Sequence, residues 1–214
     1  MLITAGPTHE PIDAVRYLAN RSSGRMVVAL AESARDAGWS VTLLLGPVAL
    51  APPAGVHTFL FESTADLAAL LEHSFPACDV LIMAAAVADY RPRCSGDGKW
   101  PRRDGPLVLE LEATPDLVAA CAARKRAEQH VIGFALEEEG ELEARAREKL
   151  RRKGLDAIVA NPLTTMGASD ARASVFTALG GRIEMSSARG GCGAMPKPDF
   201  ARRLIAWIDS QAWA

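Results

Sequence analysis

Short apolar runs recur along the chain, and most of them are continuous rather than alternating. Such runs predict strands that are buried on both faces of a sheet. Between them lie stretches with the helical spacing of apolar residues, several of which end at a glycine. Strands are predicted at residues 2–5, 40–45, 56–61, 79–85, 107–111, 131–135 and 155–160, and helices at 24–37, 64–74, 115–123, 137–153 and 199–210.

Strands that alternate with helices predict an α/β fold. We expect a single domain over residues 1–214, built on a doubly wound, mainly parallel sheet of the Rossmann-like type. Residues 174–179 and 182–185 flank Gly180-Gly181 and predict a small C-terminal β-hairpin excursion. Residues 91–106 are rich in glycine, proline and basic side chains, which predicts a long exposed loop. The segment 189–194 is expected to be mobile.

Composition narrows the class of protein. The formal net charge is −2, so the basic excess of a nucleic-acid-binding protein is missing. No apolar run approaches the roughly 18 residues of a membrane span, and the first strand begins at once without a charged leader. We therefore expect no nucleic acid, no membrane and a cytoplasmic location. The cysteines and histidines are scattered, which predicts reduced thiols and no metal site with dedicated protein ligands.

Ligands of open parallel sheets bind beyond the carboxyl ends of the strands. There the first strand leads into Ala5-Gly6-Pro7-Thr8 rather than into a Gly-x-Gly-x-x-Gly turn. The second strand ends in Gly46-Pro47, with no carboxylate for a ribose hydroxyl. Both features are needed for an ordinary NAD site, so that kind of dinucleotide binding is disfavoured.

A polar run, Arg21-Ser22-Ser23-Gly24, stands directly before the first predicted helix. Hydroxyls and free backbone amides at a helix N-terminus suit a phosphate or a carboxylate. The alternative is a plain helix cap, since serine and glycine begin many helices. Arg16, Asn20 and Arg21 favour an anion site, because a cap needs neither two guanidinium groups nor an amide.

Further candidate ligands lie on the long loop and on the charged helix. Lys99, Arg102 and Arg103 could close over a polyphosphate, although a solvated surface loop explains them equally well. Lys149 and Lys153 are four residues apart on one helix face, and neither has an acidic residue four positions earlier. That spacing predicts that both lysines are available to a ligand. Asp89 could hold a hydroxyl, an amino group or hydrated Mg²⁺, or it simply forms a turn.

Taken together, these segments resemble phosphopantothenoylcysteine synthetase over about residues 2–180. The resemblance is carried above all by Asn20-Arg21-Ser22-Ser23-Gly24 and Ala85-Ala86-Val87-Ala88-Asp89-Tyr90. Weaker matches support it in the same order along the chain; they are Ile3 to Thr8, Glu10-Pro11-Ile12-Asp13, Val15-Arg16-Tyr17, Lys99, Pro115-Asp116-Leu117-Val118, Gly133-Phe134-Ala135, Lys149, Lys153-Gly154-Leu155-Asp156 and Asn161.

The resemblance implies a ligase that joins 4′-phosphopantothenate to L-cysteine in coenzyme A biosynthesis. Bacterial members of the family use CTP and Mg²⁺, form an acyl-cytidylate and diphosphate, and then release CMP when cysteine attacks; ATP is not excluded. The resemblance also implies a homodimer. Because many relatives carry a flavin-dependent decarboxylase before the synthetase, and this chain begins at the synthetase's first strand, that activity is expected to be absent.

The same resemblance assigns roles to individual residues. Asn20 and Lys99 correspond to catalytic positions, for the cysteine step and for the phosphate-displacing step respectively. The nucleotide is assigned to Asp89, Lys99, Pro115, Asp116, Leu117, Val118, Phe134, Lys149 and Lys153. The 4′-phosphopantothenate is assigned to Arg16, Asn20, Arg21, Ser22, Ser23, Gly24, Ala85 and Ala86.

The chain also departs from the family's pattern. Pro7 replaces a common glycine, Arg25 a usual lysine, and Val27-Val28 a pair that contains glycine, while Trp100-Pro101 follow the loop lysine. Two other functions stay open on sequence alone. One is an NAD(P)- or flavin-linked protein on a related sheet, and the other is a nucleotide sensor that binds without catalysis.

Overall fold

The computed structural model describes residues 1–102, 104–186 and 193–211. Arg103, Cys192 and most of the predicted mobile segment 189–194 therefore lie outside the described residues. The helices are α1 (Arg25–Asp36), α2 (Thr64–Ser74), α3 (Leu117–Ala123), α4 (Leu142–Arg152) and α5 (Lys197–Ser210). The strands are β1 (Leu2–Ala5), β2 (His9–Pro11), β3 (Tyr17–Ala19), β4 (Thr42–Leu45), β5 (His57–Leu60), β6 (Val80–Met83), β7 (Tyr90–Pro92), β8 (Leu111–Ala113), β9 (His130–Glu137), β10 (Ala157–Pro162), β11 (Asp170–Ala171), β12 (Ala173–Thr177), β13 (Arg182–Met185) and β14 (Met195–Pro196).

One eight-stranded sheet organises the chain, in the order β13-β12-β10-β9-β6-β1-β4-β5. The strands from β10 to β5 are parallel, and β12 and β13 are antiparallel to their neighbours. The predicted fold class is confirmed. The C-terminal hairpin exists as well, and it extends the main sheet at the β10 edge.

Helices cover both faces of this sheet. On one face α1 and α5 pack against each other and against the strands, with Leu30 and Phe200 fully buried. On the other face α2, α3 and α4 bury residues such as Leu71 and Leu150. Adjacent residues of one strand point to opposite faces, so Leu2 belongs to the second core and Ile3 to the first. Continuous apolar strands are explained by this double covering.

The largest errors in predicted extent concern two elements. Residues 107–110 form no strand; only Leu111 enters β8, which pairs with β7 as a small separate hairpin. The charged helix begins at Leu142 rather than at Glu137, because β9 continues through Glu137 alongside β10. The chain also forms the hairpin β2–β3 and the pair β11–β14, which the pattern of apolar residues does not predict.

Three of the four cysteines lie within the described residues. Cys78, Cys94 and Cys121 are free, and the first and third are buried. Burial raises the pKa of the Cys78 thiol to about 11 and raises that of Cys121 as well. Both are therefore held in the unreactive protonated form. Among the described residues no helix has the length and apolar content needed to cross a membrane.

The end of β1 fixes the segment that follows β6. The hydroxyl of Thr4, fully buried, accepts hydrogen bonds from the backbone N–H groups of Ala84 (3.2 Å) and Ala85 (3.1 Å). Farther along, the equally buried hydroxyl of Thr8 accepts the N–H of Ala88 at 3.0 Å. Two threonine hydroxyls thus accept three of the N–H groups that follow β6, and a fourth, that of Ala86, donates to the carbonyl of Gly6 at 2.8 Å.

We expect Thr4→Val to destabilise the protein although the two side chains have nearly the same shape. It leaves two backbone N–H groups without their acceptor, at a cost of about 1–3 kcal/mol each when such groups are buried. Urea unfolding would measure the loss. Thr4→Ser keeps the hydroxyl and is expected to lose less than Thr4→Val; equal losses for both variants would contradict the role given to the hydroxyl.

Candidate active site

A large cleft opens at the carboxyl ends of β6 and β9, where the order of the parallel strands reverses next to β1. Its volume is about 720 Å³. A reversal of strand order leaves a crevice because the helices on its two sides pack on opposite faces of the sheet. The lining includes the segments 20–27, 83–89, 114–118 and 133–136, together with Lys149, Arg152, Lys153, Asn161, Asp170 and Lys197.

The polar run 20–24 forms one wall of the cleft at the start of α1. Gly24 is the N-cap residue, with φ +70°, and no side chain caps this helix. Ser22 and Ser23 therefore do not cap the helix with their side chains, whereas the glycine of the run is its N-cap residue. Glycine is required at position 24 for two reasons: the left-handed backbone, and Val48, whose Cγ1 would lie 2.9 Å from an added Cβ.

Asn20 is joined to the segment after β6. Its side-chain amide donates to the carbonyl of Val87 at 2.9 Å and to that of Ala86 at 3.4 Å. Ala85 and Ala86 line the cleft beside it. Asn20 is thereby oriented over a strip of small residues where a ligand can approach the backbone closely.

Lys149 and Lys153 reach the cleft from the last turns of α4, but each already has an acidic partner. The ammonium group of Lys149 lies 2.5 Å from Glu137 Oε1, and that of Lys153 lies 3.0 Å from Asp116 Oδ2. The expectation that both lysines are unpaired is wrong. The partners come from β9 and from the N-terminus of α3, so a search along one helix cannot find them.

Asp116 has a second task, because its Oδ1 caps α3 by accepting the N–H of Ala119 at 3.2 Å. Near it, Asp89 is exposed in the cleft and accepts the Thr114 N–H with its backbone carbonyl. Phe134 is partly buried on β9 and offers the cleft an aromatic surface. Within the described part of the chain, no three acidic, histidine or cysteine residues cluster as metal ligands.

Arg16, Lys99 and Arg102 lie outside this cleft, and Arg103 falls outside the described residues. The Arg16 guanidinium binds the carboxylate of Asp13 and donates to the carbonyl of Trp100 at 3.0 Å. Lys99 is exposed on the loop between β7 and β8. All other predicted site residues line the cleft; they are Asn20, Arg21, Ser22, Ser23, Gly24, Ala85, Ala86, Asp89, Pro115, Asp116, Leu117, Val118, Phe134, Lys149 and Lys153.

The cleft also contains basic residues that the sequence did not indicate. Lys197, at the start of α5, hydrogen-bonds to the carbonyl of Ala168; partial burial lowers its pKa, and the charge of Arg25 lowers it further. Arg152 also lines the cleft and, in the described part of the chain, forms no ion pair with Glu148. Lys197 stands far from the other site residues in sequence, so no local motif announces it.

The chain is similar to a known protein family, to curated proteins and to solved structures. Residues 1–211 match the family described as DFP, the DNA/pantothenate metabolism flavoprotein C-terminal domain. The chain belongs to this family. A solved structure of the C-terminal domain of the coenzyme A biosynthesis bifunctional protein CoaBC is 37% identical, with a TM-score of 0.80, and the match covers 97% of this chain and 92% of that one.

Two curated relatives align with this chain over 169 residues, which is 78% of its length. CoaBC of Bacillus subtilis (strain 168) is 43% identical, over 41% of its length. A protein from an unknown prokaryotic organism, named cysteine/cysteine sulfinic acid decarboxylase, is 44% identical, over 47% of its length. The chain thus spans about half the length of the curated relatives it matches.

The ion pairs in the cleft predict opposite effects of two substitutions on anion binding. Asp116→Asn keeps a good helix cap but frees Lys153, so the affinity for inorganic pyrophosphate should rise; Lys153→Gln should lower it. Partly exposed ion pairs are worth up to about 1 kcal/mol, which corresponds to changes of about two- to fivefold. Titration calorimetry measures both. Glu72→Gln, which removes a carboxylate paired with Arg124 outside the cleft, is the control.

Proposed function

We propose that the chain is a phosphopantothenate–cysteine ligase of coenzyme A biosynthesis, with CTP and Mg²⁺. The observation that carries the proposal is the composition of the cleft: the run 20–24, Asp89, Phe134 and the two lysines of α4 meet at the strand-order reversal of the sheet. These are the residues for which the family resemblance predicts substrate contacts. Membership of the pantothenate-metabolism family agrees with this chemistry.

In the proposed first step, a carboxylate oxygen of 4′-phosphopantothenate attacks the α-phosphorus of CTP. The bond from that phosphorus to the bridging oxygen breaks, and diphosphate leaves with the electron pair. The substrate supplies the nucleophile, so the protein contributes position and positive charge. Lys149 and Lys153 lie in the cleft for this purpose, and Lys99 would contribute from the loop as the departing diphosphate gains charge.

In the second step the amino nitrogen of cysteine attacks the acyl carbon, the bond to the cytidylate oxygen breaks, and CMP leaves. Asn20 is proposed to act here. Its amide nitrogen is held by the carbonyls of Ala86 and Val87, which leaves the other end of the side chain to contact the acyl intermediate. Ala85 and Ala86 provide the close backbone approach that a planar acyl group needs.

The phosphate of 4′-phosphopantothenate is assigned to Arg21, Ser22, Ser23 and Gly24. Support comes from the start of α1, where no side chain occupies the cap and no acidic residue lies in the first turn. The positive end of the helix is therefore open to an anion. Arg16 is proposed to assist this substrate, although its guanidinium faces Asp13 in the present structure.

Asp89 is proposed to bind Mg²⁺, because it lines the cleft close to the assigned nucleotide residues 115–118 and forms no ion pair within the described residues. Bound with the nucleotide, Mg²⁺ would neutralise phosphate charge. Phe134, with the segment 115–118, is proposed to hold the nucleoside. CTP is preferred over ATP on the family's bacterial pattern alone.

A homodimer in the cytoplasm completes the proposal. Arg16 and Lys99 lie outside the cleft of their own chain. A second subunit that brings these groups to the cleft would reconcile their position with the roles that the family resemblance gives them. Light scattering during size exclusion tests the dimer directly.

The decisive assay is release of pyrophosphate from CTP with 4′-phosphopantothenate and Mg²⁺, compared with ATP and repeated with and without cysteine. We expect release with CTP that depends on 4′-phosphopantothenate. A nucleotide sensor would bind CTP and release none, and an NAD(P)- or flavin-linked protein would instead carry a coloured cofactor or reduce a pyridine nucleotide. If no nucleotide led to release of pyrophosphate, the ligase proposal would be refuted.

Two substitutions separate the two steps. Lys99→Gln removes the charge that stabilises departing diphosphate, and we expect it to abolish most pyrophosphate release. Asn20→Asp is expected to retain part of that release but not to form the cysteine adduct, which mass spectrometry detects. Wild-type behaviour of both variants would leave the function standing and refute the residue assignments.

Mixing the two variants tests whether the sites are shared between subunits. If Lys99 serves the cleft of the partner, a mixed dimer of Lys99→Gln and Asn20→Asp chains contains one cleft with both residues intact. Product formation should then reappear after co-refolding, up to about half the wild-type rate per mixed dimer. Absence of any recovery would argue against sharing.

A further inference from the structure

A buried carboxylate stands outside the cleft, in the turn between β2 and β3. The side chain of Asp13 is fully buried, and its Oδ1 accepts the backbone N–H groups of Val15 (2.9 Å) and Arg16 (2.8 Å). Its Oδ2 accepts from the guanidinium of Arg16. That guanidinium holds the pKa of Asp13 well below its usual range, so the carboxylate is ionised at neutral pH.

The same carboxylate reaches the loop that carries Lys99. Oδ2 of Asp13 also accepts the backbone N–H of Trp100 at 3.1 Å, and Arg16 donates to the carbonyl of Trp100 at 3.0 Å. Four residues earlier in the loop, the N–H of Gly96 donates to the carbonyl of Ile12 at 3.1 Å. Both ends of the segment 96–100, here called the Lys99 turn, are therefore tied to the β2–β3 turn.

The Lys99 turn is also closed from inside. An added Cβ on Gly96 would lie 2.1 Å from Nε1 of the Trp100 indole, so the ring packs directly on this glycine. A Cβ added to Gly98, two residues later, would have no other atom within 4 Å. Lys99 lies between these fixed points, exposed, and makes no ion pair with any of the described residues.

We propose that Asp13 is a positioning residue for Lys99, which it holds through the backbone of Trp100. The inference rests on the proposed function, in which Lys99 neutralises the departing diphosphate. A lysine on an untied loop would spread its charge over many positions, and a catalytic charge is effective only when it is fixed before the reaction begins. The rival explanation is that Asp13 stabilises the β2–β3 turn alone.

A double-mutant cycle distinguishes the two explanations. Asp13→Asn leaves an acceptor for Val15 and Arg16 but replaces Oδ2 with a group that cannot accept the Trp100 N–H. We expect the kcat of pyrophosphate release to fall by on the order of tenfold to a hundredfold, as for other displaced catalytic groups. In the Lys99→Gln background the same substitution should cause no further loss, because the residue that Asp13 positions is already gone.

The matched control is Asp199→Asn. It breaks another ion pair of i, i+3 spacing, with Arg202 on α5, and should leave kcat unchanged. Thermal unfolding of each variant shows how much stability is lost. A loss of rate by Asp13→Asn that is equally large with and without Lys99 would mean a structural role and would overturn the inference.

A second pair of variants disturbs the Lys99 turn without touching Asp13. Gly96→Ala pushes the indole of Trp100 away, whereas Gly98→Ala adds the same methyl group in open space. Neither glycine has a positive φ, so alanine fits both backbones. We expect Gly96→Ala to lower kcat only when Lys99 is present, and Gly98→Ala to behave as wild type. This pair decides the matter if Asp13→Asn does not fold.

The outcomes separate the inference from the proposed function. No pyrophosphate from the wild-type chain overturns both. Release by the wild type with unchanged rates in Asp13→Asn and Gly96→Ala overturns the inference alone, and so does a fully active Lys99→Gln. Losses confined to chains that contain Lys99, with active Asp199→Asn and Gly98→Ala controls, establish Asp13 as the positioning residue.

Discussion

Backbone amides that leave a sheet within a protein core need new acceptors, and the cleft depends on how this chain supplies them. After β6 the chain leaves the regular strand, and the hydroxyls of Thr4 and Thr8 accept the N–H groups of Ala84, Ala85 and Ala88. The carbonyls of Ala86 and Val87 then remain to hold the amide of Asn20. Thr4 on β1 and Thr8 just after it thereby position the segment 84–88, which lines the cleft and orients the side chain of Asn20.

The charges of the cleft form a second level of organisation. Lysines that bind polyphosphate are usually imagined as free, yet Glu137 and Asp116 neutralise both lysines of α4. Glu137 is largely buried, and a polyphosphate that bound Lys149 would have to compete with a carboxylate already 2.5 Å away. Partly buried charges lose hydration, and the carboxylates compensate for this loss by pairing with the two ammonium groups. The same pairing lowers the affinity of the lysines for a polyphosphate. The other cations of the cleft, Arg25, Arg152 and Lys197, would then contribute more of the binding.

The predictions from sequence succeed where the signal is long and local. Continuous apolar strands and amphipathic helices predict the fold class, and nearly all the site residues assigned from the family motifs line the cleft. The three-residue strands of the hairpins β2–β3 and β7–β8 carry too few apolar positions to show a period, so they are missed. The acidic partners of Lys149 and Lys153 are missed for a different reason, since ion pairs between elements leave no fixed spacing in a sequence. The predicted start of α4 is too early because acidic residues end β9, continue through the turn 138–141 and go on into the helix, so the change of element leaves no mark in the sequence.

The cations differ in how they are held, and the difference has a consequence for catalysis. Lys149 and Lys153 project from the end of a helix, and carboxylates already neutralise part of their charge. Their charge is therefore less available to the negative charge that develops on a leaving diphosphate. Lys99 has no such partner among the described residues, and its backbone is tied by Asp13 and Gly96 rather than by a helix. A charge that is placed but not yet neutralised can respond fully to the charge that develops on a leaving diphosphate. In the proposed reaction the paired lysines of α4 therefore contribute less to the rate than the unpaired lysine of the loop.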